Sequence, residues 1–254
     1  MHKKKYNIGI ALSGGGIKGI CHAGALKAFE EVNIRPNIIS GVSAGAIVGA
    51  LYSDGYTPDE IVDLFDDVSF HQFAKIQLPQ DGFFSIETFK QFLSNTIRSK
   101  TFEELQIPLR IVATDFDNGC IHVFSSGNLI NSIIASCSLP ILFKPIKIDG
   151  TNYVDGGVLQ NFPVSTIRNE CKTLIGVNAS PFIPSTYKKN IYSIVARTYQ
   201  FMSKSNILGD KEMCDILIEP KEMSFYDTFD TDKCREIFML GYKTTQHEIS
   251  KFKF

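Results

Sequence analysis

The sequence predicts a three-layer α/β/α fold in which a mainly parallel sheet lies between helices. "YNIGIAL" (6–12) is a short apolar run that ends at glycines, as a buried strand does. Residues 17–31 then carry apolar side chains at helical spacing, and a second short strand (36–40) precedes a helix of small residues (44–53). This strand-helix-strand-helix order is typical of parallel strands covered by helices.

The remaining elements follow in the same manner. "TPDE" (57–60) has the pattern of a capping box that starts a helix, and the "DNG" turn (117–119) predicts a hairpin. The other predicted elements are a helix from Ser85 to about residue 97, strands at 109–116, 143–148, 152–154 and 173–179, and helices at 128–137, 189–204 and 232–252. No repeat, charge block or Gly/Ser linker divides the chain, so we expect one domain over residues 1–254.

Composition narrows the classes of function. Of the 254 residues, 26 are Lys or Arg and 27 are Asp or Glu, so no overall field favours nucleic acid as a partner. The six cysteines show no Cys-x-x-Cys pair, which indicates reduced thiols and a cytoplasmic location. No apolar stretch is long enough to span a membrane, so contact with a membrane is expected only at its surface. The sequence does not indicate an oligomeric state.

The glycine-rich segment "LSGGGIKGICHAG" (12–24) first suggests a nucleotide site, because Gly14, Gly16 and Gly19 fit Gly-x-Gly-x-x-Gly between a strand and a helix. A dinucleotide site also needs an acidic residue at the tip of the second strand. That tip carries Ser40 and Gly41 instead. A nucleotide-binding oxidoreductase is therefore a weaker alternative.

The tip of the second strand contains a serine motif. In "SGVSAGAIVG" (40–49), Gly41, Ser43 and Gly45 form Gly-x-Ser-x-Gly where a strand ends and a helix begins. Such a turn exposes a nucleophilic serine at a helix N-terminus, and glycines avoid collisions at the turn. The alternative is a serine that only caps the helix between packing glycines.

The early glycine loop then has a role beside this serine. Parallel neighbouring strands end at the same edge of a sheet, so the loop and Ser43 can face each other. Backbone amides around Gly14, Gly15 and Gly16 are candidates to bind the oxyanion formed when Ser43 attacks an acyl carbon. Lys18 either adds positive charge there or anchors the loop.

A serine nucleophile needs a proton acceptor. His22 lies among small residues of the first helix, and His247 lies near the end of a surface helix, so neither is a good candidate. In "YVDGGVLQNFP" (153–163), Asp155 ends a strand and is held by Gly156 and Gly157, a position that often carries catalytic groups. Asp-Gly also occurs in plain hairpin turns, and that alternative remains open.

Taken in order, "GGGIKG", "GVSAG" and "DGG" resemble the patatin-like phospholipase family. "SCSLPILFKP" (136–145) and "NFP" (161–163) also resemble segments of that family, and the likeness extends over about residues 7–180. The resemblance implies a patatin-like fold and a Ser–Asp dyad without histidine. It implies Ser43 as nucleophile, Asp155 as general base and Gly14 to Gly16 as the oxyanion loop.

The chemistry implied is hydrolysis of a lipid acyl ester, of the phospholipase A, lysophospholipase or carboxylesterase type, through an acyl-enzyme. It requires no cofactor and no metal. "DFDNG" (115–119) departs from a calcium loop at its glycine and at residue 126, so a turn is expected there.

The expected partner is a lipid or fatty ester. The aromatic segment at 70–84 either forms a lid or a membrane-contacting edge, or fills the core beneath a long connection. Besides the oxidoreductase, one alternative remains: a lipid-binding or regulatory module of the same fold without activity. That module would bind lipid but would not react at Ser43.

Overall fold

A computed structural model describes residues 4–66, 86–182, 191–228 and 231–252. Its strands are β1 (Tyr6–Leu12), β2 (Ile38–Val42), β3 (Leu109–Asp115), β4 (Cys120–Phe124), β5 (Ile146–Ile148), β6 (Thr151–Asp155), β7 (Cys171–Val177) and β8 (Ile216–Ile218). Its α-helices are α1 (Ile20–Glu31), α2 (Ala44–Ser53), α3 (Pro58–Asp66), α4 (Ile86–Thr96), α5 (Leu129–Cys137), α6 (Ser165–Arg168), α7 (Ile191–Asn206), α8 (Leu208–Glu212) and α9 (Cys234–Ile249). A 3₁₀ turn at Gly16–Gly19 leads into α1.

Within the described ranges, the eight strands form one sheet in the order β5-β6-β3-β2-β1-β7-β8, with β4 also paired to β3. Five neighbouring strands of this order are mutually parallel, namely β3, β2, β1, β7 and β8. β4, β5 and β6 extend the sheet with antiparallel pairs. The predicted parallel block is therefore present, with an antiparallel extension beside it.

Two strands share one edge of β3. β2 runs parallel to β3 and ends where Val42 pairs with Val112. β6 runs antiparallel to β3 and ends where Asp155 pairs with Ala113, the next residue of β3. Since β4 pairs with β3 over both regions and occupies the opposite edge, β2 and β6 approach each other end to end. The residues that follow Val42 and those at the end of β6 must therefore lie close together.

Alternating side chains of the central strands build a core on each face of the sheet, as expected for strands covered on both sides. Ile10 and Leu12 of β1 pack into the larger core with α1, α2, α3 and α9. Ala11, between them, faces a second core that contains Phe162 and Ile167. Helices therefore cover both faces, as predicted.

Local patterns predicted most elements, and β1, α2 and the hairpin at 117–119 have the expected positions. The capping box is formed: the amide of Thr57 donates to Glu60 Oε2 at 2.8 Å, and the amide of Glu60 donates to Thr57 Oγ1 at 3.2 Å. The second strand lies two residues later than predicted. Three short elements were not predicted, namely α6, α8 and β8. The segment at 70–84 and Ser85 lie outside the described residues.

Candidate functional site

Ser43 lies at a sharp turn between β2 and α2. Its backbone has φ 52° and ψ −120°, a conformation that costs a non-glycine residue about 1–3 kcal/mol. The residue is partly exposed at the N-terminus of α2, where the helix dipole favours negative charge. This is the strand-turn-helix geometry of a nucleophile elbow.

The glycines of the motif are required because the turn is crowded by backbone. A methyl group at Gly45 would overlap the carbonyl oxygen of Leu12, and one at Gly41 would overlap the carbonyl oxygen of Gly45. Both residues are buried. The two glycines thus let β1, β2 and α2 meet closely beneath Ser43.

Ser136 of α5 links the turn at Ser43 to the neighbouring strand β3. Its buried hydroxyl accepts a hydrogen bond from the Ser43 amide at 2.8 Å and donates one to the carbonyl oxygen of Val112 at 2.6 Å. Val112 is the β3 residue that pairs with the last residue of β2. One hydroxyl therefore ties the turn to β3.

Asp155 lies beside Ser43 because of the end-to-end arrangement of β2 and β6. Gly156 permits it, since a methyl group there would overlap the carbonyl oxygen of Val112 and the side chain of Val42. Asp155 is 2% exposed, and the Ser43 hydroxyl lies near enough to its carboxyl group to lower the pKa of that group. The structure therefore brings together the two residues that the sequence placed far apart.

Two further donors fix the Asp155 carboxyl group. The Gly157 amide and the Tyr199 hydroxyl each donate to Oδ1 at 2.8 Å. Burial raises the pKa of Asp155 to about 6, and the hydrogen bonds from Ser43, Gly157 and Tyr199 oppose this rise. Above that pH the carboxylate is ionised and can accept a proton.

The half-buried thiol of Cys137 is a second neighbour of Ser43. Burial and the Asp155 carboxylate raise its pKa well above the usual value, although the Ser43 hydroxyl opposes this with a hydrogen bond. The thiol therefore stays protonated near neutral pH, and a neutral thiol is a poor nucleophile.

The glycine loop packs against the same site, with Gly14 near the side chain of Ser43. The Gly14 amide donates to the carbonyl oxygen of Asn161 at 3.0 Å, so it is already engaged. No acceptor for the amides of Gly15 and Gly16 is found among the described residues. Of the three amides of the predicted oxyanion loop, that of Gly14 is therefore engaged by Asn161, whereas those of Gly15 and Gly16 have no acceptor among the described residues.

The orientation of the Gly15 amide follows from the carbonyl group of Gly14. That oxygen accepts hydrogen bonds from the hydroxyls of Ser13, at 3.1 Å, and Ser180, at 3.0 Å. In a trans peptide the N–H points away from the preceding C=O. The Gly15 amide is therefore held pointing away from these two serines.

Lys18 is buried in the 3₁₀ turn beneath the loop. Burial lowers the pKa of its ammonium group, and the charge of Asp227 opposes this effect. The neighbouring backbone is fastened to the same segment, because the Ile17 amide donates to the carbonyl oxygen of Thr228 at 3.0 Å. These contacts favour the anchoring role over a role in contact with substrate.

His22 fixes the start of the loop. It is fully buried, its Nε2 lies 2.8 Å from the carbonyl oxygen of Ser13, and burial lowers its pKa to about 4. The ring is therefore neutral near pH 7, and Nε2 donates to that oxygen. The structure thus places His22 in a supporting position.

Sequence reasoning missed three contributors to the site, Tyr199, Asn206 and Ser136. Tyr199 and Asn206 belong to α7, beyond the last recognisable motif, and the Asn206 side chain donates to the carbonyl oxygen of Gly157 at 3.1 Å. No local pattern distinguishes these residues from others of an amphipathic helix. Ser136 lies in the segment that resembles the family, but its bond to the turn was not foreseen.

In the described part of the chain, no group of three or more His, Cys, Asp or Glu is arranged to hold a metal ion. "DFDNG" forms a turn in which Asp115 Oδ1 accepts hydrogen bonds from the amides of Asp117 and Asn118. Among the same described residues, no helix has the length and apolar character needed to cross a bilayer.

Solved structures support the fold. VipD from Legionella pneumophila aligns with a TM-score of 0.57 at 13% identity, over 97% of this chain and 67% of that one. ExoU, a type III effector protein of Pseudomonas aeruginosa, aligns with a TM-score of 0.50 at 14% identity, over 97% of this chain and 53% of that one.

Sequence relatives include YqhO, an uncharacterized protein of Bacillus subtilis (strain 168). It is 34% identical over 213 residues, which cover 70% of this chain and 73% of YqhO. The neuropathy target esterase sws of Drosophila melanogaster is 30% identical over 171 residues, 64% of this chain but 12% of that protein. The family model of the patatin-like phospholipases matches residues 10–167, and the chain belongs to that family.

Proposed function

We propose that the chain is a lipid acyl hydrolase, of the phospholipase A, lysophospholipase or carboxylesterase type, and that it acts as one domain. The observation that carries the proposal is the proximity of the Ser43 hydroxyl to the buried Asp155 carboxyl group, at the point where β2 and β6 meet end to end along β3. The names of the family and of sws support ester hydrolysis and a lipid substrate.

In the proposed acylation, the Ser43 oxygen attacks the ester carbon as Asp155 accepts its proton. The free amides of Gly15 and Gly16 stabilise the negative charge that develops on the carbonyl oxygen; a donor of this kind is typically worth about 10²- to 10³-fold in rate. Asp155 then returns the proton to the leaving alcohol as the ester C–O bond breaks.

In deacylation the same groups act on water. Asp155 accepts a proton from a water molecule that attacks the acyl-enzyme, and then delivers it to the Ser43 oxygen as the fatty acid leaves. Because the pKa of Asp155 is about 6, the carboxylate is ionised and ready to act as a base at neutral pH.

The test combines labelling and product release. Wild-type protein should react with a serine-directed fluorophosphonate and release fatty acid from a mixed lipid extract, as read by mass spectrometry. Ser43→Ala should lose both, and Asp155→Asn should lower kcat/KM by about 10²- to 10⁴-fold. Ser250→Ala and Asp59→Asn, at exposed positions, serve as matched controls and should keep full activity.

The outcomes separate the proposal from its alternative. Fatty acid release that persists in both Ser43→Ala and Asp155→Asn would refute the dyad. A folded wild-type protein that binds lipid, but neither reacts with the probe nor releases fatty acid, would instead indicate a lipid-binding module without activity. An oxidoreductase finds no support, because the tip of β2 carries no acidic residue.

A further inference from the structure

Helix α7 has two faces with different surroundings. Tyr199 and Asn206 lie on the face that contacts the loop following β6, where they bind Asp155 and Gly157. Val195 and Ser203, on the same side, are buried. This face supports the candidate site directly.

The opposite face mixes apolar with basic side chains, exposed at Ile194, Phe201 and Lys204 and half-buried at Arg197. Ile194, Arg197, Phe201 and Lys204 are spaced by three or four residues and so form one stripe along the helix. Ile194 is 46% exposed and Phe201 is 51% exposed. We call these four residues, with Phe182, the outer face of α7.

Phe182 packs onto this stripe. Its ring centre lies 5.6 Å from that of Phe201. The Arg197 guanidinium lies 4.9 Å and 5.0 Å from the two ring centres, and the Lys204 ammonium lies 4.5 Å from that of Phe182. The outer face is therefore one cluster of aromatic rings and cations.

The surrounding sequence is also basic. Residues 178–209 contain Lys188, Lys189, Arg197 and Lys204 but no Asp or Glu, whereas the whole chain has a net charge of −1. Helical faces that combine aromatic or apolar groups with Lys and Arg bind the interface of anionic bilayers, where rings enter the headgroup boundary and cations meet the lipid charges.

We propose that the outer face of α7 docks the protein on a bilayer that contains anionic phospholipid. The inference rests on the proposed function, because a lipid substrate gives the protein a reason to bind a bilayer. The same helix bonds Asp155 through its inner face, so docking would hold the site about one helix diameter, roughly 10 Å, from the lipid surface. Binding to the bilayer does not itself require hydrolysis of the lipid.

The experiment measures binding without turnover. Ser43→Ala, in the full chain, is sedimented with vesicles of phosphatidylcholine and with vesicles of phosphatidylcholine and phosphatidylglycerol. We expect tighter binding to the anionic vesicles and weaker binding as salt is raised. Adding Arg197→Gln and Lys204→Gln should weaken anionic binding by about 10- to 30-fold, and adding Phe201→Ser should weaken binding to both kinds of vesicle.

The controls lie elsewhere on the molecule. Lys172→Gln removes an exposed charge at the start of β7, at the end of the strands opposite the site. Met239→Ser removes an exposed apolar side chain of α9, on the other face of the sheet. Neither should change binding. Equal affinity for the two kinds of vesicle, or binding unaffected by the outer-face substitutions, would overturn the proposal. Vesicle binding with wild-type protein that hydrolyses nothing would refute the proposed function alone.

Discussion

The hydroxyl of Tyr199 donates a hydrogen bond of 2.8 Å to Oδ1 of Asp155, although Tyr199 belongs to a helix beyond the recognisable motifs. Burial and the Asp155 charge raise the pKa of Tyr199 well above its usual value, so the phenol remains a donor at neutral pH. A donor to a carboxylate stabilises the ionised form. Tyr199 therefore keeps the pKa of Asp155 lower than burial alone would leave it.

Replacing Tyr199 with Phe should move the acidic limb of the kcat/KM profile to higher pH. A hydrogen bond to a charged group is worth about 1.5–3 kcal/mol, which corresponds to about one to two pKa units. The measurement is the pH dependence of hydrolysis of a soluble ester. Tyr242→Phe, which removes a surface bond to Glu31, is the matched control. An unchanged acidic limb in Tyr199→Phe would show that the phenol does not tune the pKa of Asp155.

Asp155→Asn should stabilise the fold near neutral pH. The folded-state pKa of about 6 exceeds the ordinary value of 3.8, so the folded chain holds this proton more tightly than the unfolded chain. Asp155 thus contributes fully to the free energy of unfolding below pH 3.8. This contribution, about 3 kcal/mol, is lost as the pH rises through about 6. Asn avoids this loss because it does not ionise.

Urea unfolding of both proteins near pH 4 and near pH 7.5 measures this effect. The advantage of the variant should be present at the higher pH and shrink at the lower one. His22, with its pKa lowered to about 4, titrates in both proteins and so cancels in the difference. A pH-independent difference would contradict the raised pKa of Asp155.

Ser43→Gly should be more stable than Ser43→Ala. At φ 52° and ψ −120°, a side chain is strained and glycine is not, with a net difference of about 1 kcal/mol after the greater unfolded-state entropy of glycine. Neither variant has the hydroxyl, so chemistry does not enter the comparison. Thermal unfolding of both variants tests it, and an alanine variant at least as stable as the glycine variant would show that the turn stores no strain.

Ser136→Ala should destabilise the protein by about 1–3 kcal/mol, because it leaves the Ser43 amide and the Val112 carbonyl group without their shared partner. If Ser43 acts as proposed, the substitution should also lower kcat by a larger factor than it raises KM, since the position of Ser43 loosens. Unfolding and steady-state kinetics with a soluble ester give both values. Ser132→Ala, at another buried serine of the same helix, shows the effect of losing a hydroxyl away from the turn.

Local patterns predicted much of the fold because periodicity and capping act over a few residues. The run of β1, the small residues of α2 and the Thr57–Glu60 box each specify their element without distant contacts. The three-residue strand β8 and the short helices α6 and α8 are too brief to show a period. Contacts with the rest of the chain stabilise them.

The site also combines features that local sequence predicts with features that depend on distant contacts. Gly-x-Ser-x-Gly and Asp-Gly-Gly were visible because a tight turn needs particular residues at fixed spacing. The contributions of Tyr199 and Ser136, and the engagement of the Gly14 amide by Asn161, depend on how distant segments pack. No spacing in the sequence encodes those contacts.

The end-to-end approach of β2 and β6 along β3 has a consequence for the loops. Ser43 and Asp155 are positioned by two consecutive residues of a single buried strand, Val112 and Ala113, rather than by the connecting loops. Changes of length in the loops between Ser43 and Asp155, outside β3 and the helix that carries Ser136, therefore need not alter the spacing of these two residues. Such a layout separates the length of the surface loops from the relative position of the two side chains.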